Sequence, residues 1–198
     1  MSTPVVIENN RDGTKAAVTV NNQLTVQSEN LSLQHYVSFY DENVYQVIGT
    51  TTPNGTAATI LHLENNDSEN TLVISYMRLG IVDAANGIAF PSSNSYFTLG
   101  FDTTYSSGGT TATPANMNAQ SGKTANVVAY GGSPVVTGTF AEFDRRYIKA
   151  DGDEYSYNKE GSLLLGLGNT LELRLQSDHT AGTAYARVTF SMVPNRRL

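Results

Sequence analysis

Leu171-Glu-Leu-Arg-Leu-Gln176 and Ala184-Tyr-Ala-Arg-Val-Thr-Phe-Ser-Met-Val193 are the two stretches that decide the fold class. In both, apolar residues alternate with polar residues until the final valine. Side chains on a β-strand point to opposite faces with a period of two, so each stretch has one apolar side and one polar side. The polar segment between them, residues 177–183, has the composition of a connection between two antiparallel strands. The stretches therefore predict two long, half-buried strands that form a directly connected pair.

Charge and composition exclude several classes of protein. The 198 residues include 18 Asp and Glu, 12 Lys and Arg and no cysteine, and the net charge is −6. An acidic chain is poorly suited to bind the phosphates of nucleic acids, and a chain without cysteine has neither disulfides nor thiolate metal sites. No apolar run approaches the ~20 residues that cross a bilayer. We therefore expect no nucleic-acid partner and no membrane partner.

About ten segments have the composition of β-strands, and no segment predicts a helix convincingly. Residues 57–64 and 71–79 are apolar runs joined by an Asn-rich bridge, which predicts neighbouring strands. Residues 72–74 are apolar on both faces, as in a strand that lies between two layers. A helical turn over residues 81–86 is the best local alternative. The sequence predicts an all-β protein with an N-terminal arm (1–17) and a single β domain (18–198).

Two segments lack an obvious partner within the chain. The arm has one apolar triplet, and residues 102–125 are nearly all Thr, Ser, Gly, Ala and Asn. Long segments without a clear element are often functional or ordered by a partner, and an arm can add a strand to a neighbour's sheet. The residues that we expect to contact partners are Val5, Val6, Ile7, Tyr105, Pro114 and Met117.

No combination of residues predicts catalysis. His35 and His62 lie in strand-like runs and His179 lies in a loop, and none has the spacing of a helical metal site. A hydrogen-bonded strand histidine and a polar loop at residues 177–179 are the favoured interpretations. We therefore predict no catalytic residue and no cofactor.

Two binding sites stay open as alternatives. The acidic turn at residues 151–154, with Asn158, could supply oxygen ligands to Ca²⁺, although its spacing matches no EF-hand and we predict no metal. Aromatic residues at 36, 39, 40 and 45 could stack against sugars or bases, although core packing is favoured.

Three stretches resemble jelly-roll virion proteins of tailed bacteriophages, of the kind that decorate or cement heads. They are the unit of two apolar strands around residues 61–79, the Gly-Thr-rich segment at 108–118, and the ending formed by residues 160–165 and 184–191. The resemblance implies a jelly-roll-like antiparallel β-sandwich, often trimeric, bound to a capsid lattice. It implies no catalytic residue.

The leading hypothesis is a non-enzymatic capsid decoration or cement protein on the virion surface. Its partners would be its own copies, as a homotrimer, and the major capsid protein. The alternatives are a receptor-binding, glycan-binding tip of a tail fibre or spike, and a carbohydrate-active jelly-roll protein, since a fold does not decide function.

Overall fold

The computed structural model describes residues 6–8, 15–18, 24–27, 42–82, 95–149, 153–178 and 180–195. These residues form fourteen β-strands, in agreement with the predicted all-β class. The strands are β1 (Val6–Glu8), β2 (Lys15–Val18), β3 (Leu24–Gln27), β4 (Val44–Thr51), β5 (Ala57–Asn65), β6 (Asn70–Val82), β7 (Tyr96–Ser107), β8 (Thr110–Thr111), β9 (Ala115–Asn116), β10 (Val127–Gly131), β11 (Val135–Tyr147), β12 (Glu154–Leu165), β13 (Thr170–Gln176) and β14 (Thr183–Pro194).

Two antiparallel sheets form a sandwich. The six-stranded sheet has the order β11-β7-β13-β5-β10-β8, and the five-stranded sheet has the order β12-β6-β14-β4-β9. Consecutive strands lie in opposite sheets throughout β4 to β7 and again throughout β11 to β14, while β7 and β11 are neighbours in one sheet. Two four-stranded sheets connected in this way are the jelly roll, which confirms the predicted fold class.

Two predicted strand pairs are wrong, although their strands are present. The strands β13 and β14 lie in different sheets, and so do β5 and β6. The strand β13 pairs with β5 and β7, and β14 pairs with β4 and β6. Alternation predicts which face of a strand is buried, but it does not indicate which strand is the hydrogen-bonded neighbour.

The core lies between the two sheets. The six-stranded sheet contributes Leu171, Leu173 and Leu175, all fully buried, as their alternation predicts. From the facing sheet, Phe190 stacks on Tyr45 with ring centroids 5.7 Å apart. Burial of each large apolar side chain contributes about 1.5–3 kcal/mol, so this layer is the main source of stability.

The strand β6 is buried on both faces near its start, as predicted for residues 72–74. Leu72 and Ile74 point into the main core, whereas Val73 joins Val44 and Val193 in a second small apolar cluster. The predicted helical turn at residues 81–86 begins within β6, since residues 81 and 82 are strand. Residues 83–86 lie outside the described residues.

The strands β1, β2 and β3 form a separate antiparallel sheet in that order. Val6 lies opposite Ala17, and Ile7 lies opposite Ala16. The predicted arm therefore has a strand partner within the chain. The strand β2 pairs in turn with β3. Val5 lies outside the described residues.

Candidate interaction surface

One flank of the sandwich is closed by the segment between β7 and β11, residues 108–134, which we call the insertion. Its strand β10 pairs with β5 at the edge of the six-stranded sheet, and its strand β9 pairs with β4 at the edge of the five-stranded sheet. The backbone N–H of Met117 donates to the carbonyl of Val44 at 2.8 Å, and the Asn116 amide donates to the carbonyl of Glu42 at 2.8 Å. The insertion thus supplies partners to two strand edges that a plain jelly roll leaves open.

The predicted loop over residues 102–125 is therefore wrong in its extent. The strand β7 continues to Ser107, and the short strands β8 and β9 occupy part of the remainder. Main-chain pairing holds this segment, and its Thr, Ser and Gly side chains contribute little to a core. For that reason a search for alternating apolar residues does not detect it.

Of the predicted contact residues, Tyr105 lies in β7, whereas Pro114 and Met117 flank β9. Tyr105, near the end of β7, stacks on Tyr130 of the six-stranded sheet with ring centroids 3.6 Å apart, and its hydroxyl donates to the Gly108 carbonyl at 3.1 Å. Pro114 is half-buried between β8 and β9, whereas Met117 follows β9 beside the other sheet with 53% of its surface exposed. That these residues, together with Val5, Val6 and Ile7, contact partners stays a prediction.

The distal half of the β7–β11 pair folds across the outer face of the six-stranded sheet. Asp102 and Gly138 both have left-handed backbones, with φ of 64° and 93°, where the bend begins. The Thr103 carbonyl then accepts a hydrogen bond from Thr170 of β13 at 2.8 Å and lies 3.2 Å from Nε2 of His62 in β5. His62 is fully buried, which agrees with its interpretation as a hydrogen-bonded strand histidine.

A buried ionic cluster lies on the same face of the sheet. Glu172 is fully buried, accepts a hydrogen bond from Thr59 at 2.6 Å, and receives two from Arg174 at 2.5 and 2.8 Å. The Arg174 guanidinium lies 3.8 Å above the centre of the Phe140 ring. These hydrogen bonds to a charged acceptor join β13 to β5, and the Phe140 contact joins the cluster to β11 at the bend.

The alternative sites gain no support from the described residues. Within the part of the chain that the structure describes, no three His, Asp or Glu side chains are grouped as metal ligands. Asp153 of the acidic turn accepts hydrogen bonds from the Lys149 N–H and the Tyr155 hydroxyl, and residues 151 and 152 lie outside the described ranges. Tyr45, the described member of the aromatic group, is a core residue. No helix among the described residues is long and apolar enough to span a membrane.

The opposite flank is formed by β11 and β12, the end strands of the two sheets. They contact each other, because the Tyr155 hydroxyl donates to the Tyr147 carbonyl and the Arg146 guanidinium lies 5.4 Å from the Tyr157 ring centre. Among the described residues no strand pairs with the outer edge of either one. Unpaired edges of this length attract further strands unless the protein protects them.

The second half of β11 carries such protection. Arg145 donates two hydrogen bonds to Glu142, and the register against β7 shifts between Glu142 and Asp144. The hydrogen bond from Arg145 holds the pKa of Glu142 below its ordinary value. Charged side chains discourage edge-to-edge pairing, so this half is a poor docking edge. Register shifts do not distinguish it, because two others lie between Val135 and Val136 and between Gly138 and Ala141.

The first half of β11, residues 135–141, has no charged residue, and we call it the edge segment. Val135 is 54% exposed although it is apolar. The sequence alone does not single this segment out as a surface. Its distinguishing signal is the contrast between this uncharged run and the Glu-Phe-Asp-Arg-Arg run that follows at 142–146.

Comparison with known proteins defines no family. No family model and no curated protein matches the sequence. Among solved structures, the chain is similar to the VP2 subviral particle of infectious bursal disease virus, with 13% identity over 94% of this chain and 48% of that one and a TM-score of 0.17. A structure of the Gt strain of the same virus gives 14% identity over 93% and 52%, also with a TM-score of 0.17. The chain spans about half the length of these structures. Similarity this low carries no argument, so the assignment to the jelly-roll class rests on the strand order.

Proposed function

We propose that the protein is a non-enzymatic structural component of a virion, and specifically a decoration or cement protein on the capsid surface of a tailed bacteriophage. The observation that carries the proposal is the difference between the paired and unpaired strand edges of the sandwich. The insertion pairs with the edges of β4 and β5, whereas β11 ends its sheet with an uncharged, exposed edge segment. A protein that binds its neighbours side by side in a lattice needs one such edge.

The edge segment would extend the sheet of a neighbour by main-chain pairing, a common mode of association between proteins. The neighbours are sister copies, in a homotrimer, and the major capsid protein. The strand β1, with Val6 and Ile7, and the exposed side chain of Met117 would provide further contacts. Tyr105 and Pro114 would act indirectly, by holding the insertion in place. The jelly roll itself is common among capsid proteins, which agrees with this role.

Binding to particles tests the proposal. Recombinant protein is mixed with purified phage particles that lack it, and the particles are then sedimented. The wild-type protein should sediment with the particles. Val135→Lys should remain in the supernatant, because a lysine on an edge strand opposes pairing with another strand.

The matched control is Leu167→Lys, which places the same charge at an apolar residue that is 62% exposed between β12 and β13. This variant should bind as the wild type does. If the wild-type protein does not sediment with the particles, the assignment to the capsid is wrong. If Val135→Lys binds as well as Leu167→Lys, the assignment of the edge segment is wrong.

A further inference from the structure

Two arginines lie side by side on the outer face of the five-stranded sheet. Arg187 of β14 is directly opposite Arg78 of β6, and on its other side it is opposite Ile48 of β4. Directly opposed residues of antiparallel strands share a face, with Cβ atoms about 4.5–5.5 Å apart. Like charges in this arrangement destabilise a sheet. We call Arg78, Arg187 and Ile48, with Tyr185 and Glu154, the arginine patch.

One carboxylate in the patch is already committed to other groups. Glu154 forms an ion pair with Arg78 through one oxygen, and the other oxygen accepts a hydrogen bond from the Tyr185 hydroxyl at 2.5 Å. Tyr185 reaches Glu154 across β6 because Gly80 lies between them, and a Cβ at residue 80 would collide with the tyrosine ring. The Tyr185 hydrogen bond and the two arginines hold the pKa of Glu154 below its ordinary value.

Arg187 lacks a carboxylate of its own. It forms no ion pair with the residues that the structure describes, and its Nε is buried without a hydrogen-bond partner among them. The Nε of Arg78 is also buried without a hydrogen-bond partner among the described residues. A buried, unpaired donor on a charged group costs stability, and the charge interaction of Arg187 with Glu154 is shared with Arg78.

The patch is open to contact with another molecule. The side chain of Arg78 is 40% exposed, Ile48 is 47% exposed, and Arg187 is half-buried. Sheet faces are flat and do not enclose small molecules, which bind in concave sites. Arginine and tyrosine around an exposed aliphatic residue are instead typical of the central part of a protein–protein interface.

We propose that the arginine patch binds an acidic side chain of a partner protein, with the Arg187 guanidinium pairing with its carboxylate. The two arginines and Glu154 leave one uncompensated positive charge, which suits a single carboxylate. Nucleic acids are bound by surfaces that neutralise several phosphates, and the patch offers no such number. The inference is independent of the edge segment and of whether the partner belongs to a capsid.

The test uses the full chain and a fluorescent hexaglutamate peptide as the probe. Anisotropy at low ionic strength should show binding that weakens as salt is added. Arg187→Gln should weaken binding about five- to tenfold, the effect of removing one partner of a partly desolvated charge pair. Arg145→Gln, which removes the same charge from an arginine paired with Glu142, should bind as the wild type does.

Thermal melting separates binding from folding. Arg187→Gln should melt at the wild-type temperature or above it, because it removes the opposed charge. A melting temperature several degrees lower would show that Arg187 has a structural role and would overturn the inference. So would equal binding by Arg187→Gln and Arg145→Gln, or displacement of the peptide by inorganic phosphate at equal concentration.

Discussion

Two Glu–Arg pairs show how burial decides the value of an interaction. Glu172 is fully buried and Arg174 is 25% exposed, whereas Glu142 and Arg145 are 32% and 41% exposed. Removing one member of a buried pair leaves its partner uncompensated, while water screens an exposed pair. The same chemistry therefore has different consequences at the two positions.

We predict that Glu172→Gln lowers the free energy of unfolding by about 2–3 kcal/mol, because Arg174 and Thr59 lose their charged acceptor. Glu142→Gln, the matched control, should change it by less than about 1 kcal/mol. Urea denaturation at neutral pH measures both values. Equal effects of the two substitutions would show that the buried cluster does not hold the bend.

Tyr157 should make the protein sensitive to alkali. Burial raises the pKa of its hydroxyl from 10.0 to about 12. The folded protein therefore retains the proton while the unfolded chain releases it above about pH 10. This contribution to stability is fully present below about pH 10 and is lost as pH rises towards 12.

The wild-type protein and Tyr157→Phe are compared by urea denaturation at about pH 9 and about pH 11. Between these conditions the wild-type protein should lose about 1.4 kcal/mol more than the variant, which has no hydroxyl to ionise. Parallel losses in the two proteins would contradict the raised pKa.

At the scale of elements, strands were easier to predict than their neighbours. The alternation of Leu171, Leu173 and Leu175 predicted a strand with one buried face, and all three are fully buried. That β13 pairs with β5 and β7 could not be predicted, because in a jelly roll the neighbours of a strand are distant in sequence. The edge segment was harder still to predict. An edge strand is defined by lacking a neighbour on one side, and the sequence does not indicate which strand that is.

Close contacts between elements depend on particular glycines. Gly49 of β4 approaches β5 so closely that a Cβ would collide with the backbone carbonyl of Ile60. We predict that Gly49→Ala lowers the free energy of unfolding by about 1–3 kcal/mol, since the backbone must shift to accommodate the methyl group.

Gly122 in the insertion provides the control, because a Cβ there would have no atom within 4 Å. Gly122→Ala should leave stability unchanged or raise it by less than about 1 kcal/mol. Thermal or urea denaturation compares the two variants. A loss of stability at Gly122 equal to that at Gly49 would contradict the close approach of β4 and β5.

At the scale of the whole molecule, the sandwich and the N-terminal sheet are separate units of strand pairing. The strands β1, β2 and β3 pair only with one another among the described strands. We therefore predict that deleting residues 1–27 leaves the sandwich folded, with a cooperative thermal transition and a β-type circular dichroism spectrum. Assembly with sister subunits should weaken. Loss of the cooperative transition would show that the N-terminal sheet is needed for the fold of the sandwich.

The central claim is that the edge segment of β11 joins the protein to a capsid. Electron cryomicroscopy of the phage particle at a resolution that separates strands tests it most directly. The account predicts density for the protein on the outer surface of the head, at local threefold positions or between capsomers, with residues 135–141 against a strand of a neighbouring subunit. Density only at the tail tip, or on the head with residues 135–141 facing solvent, would contradict it.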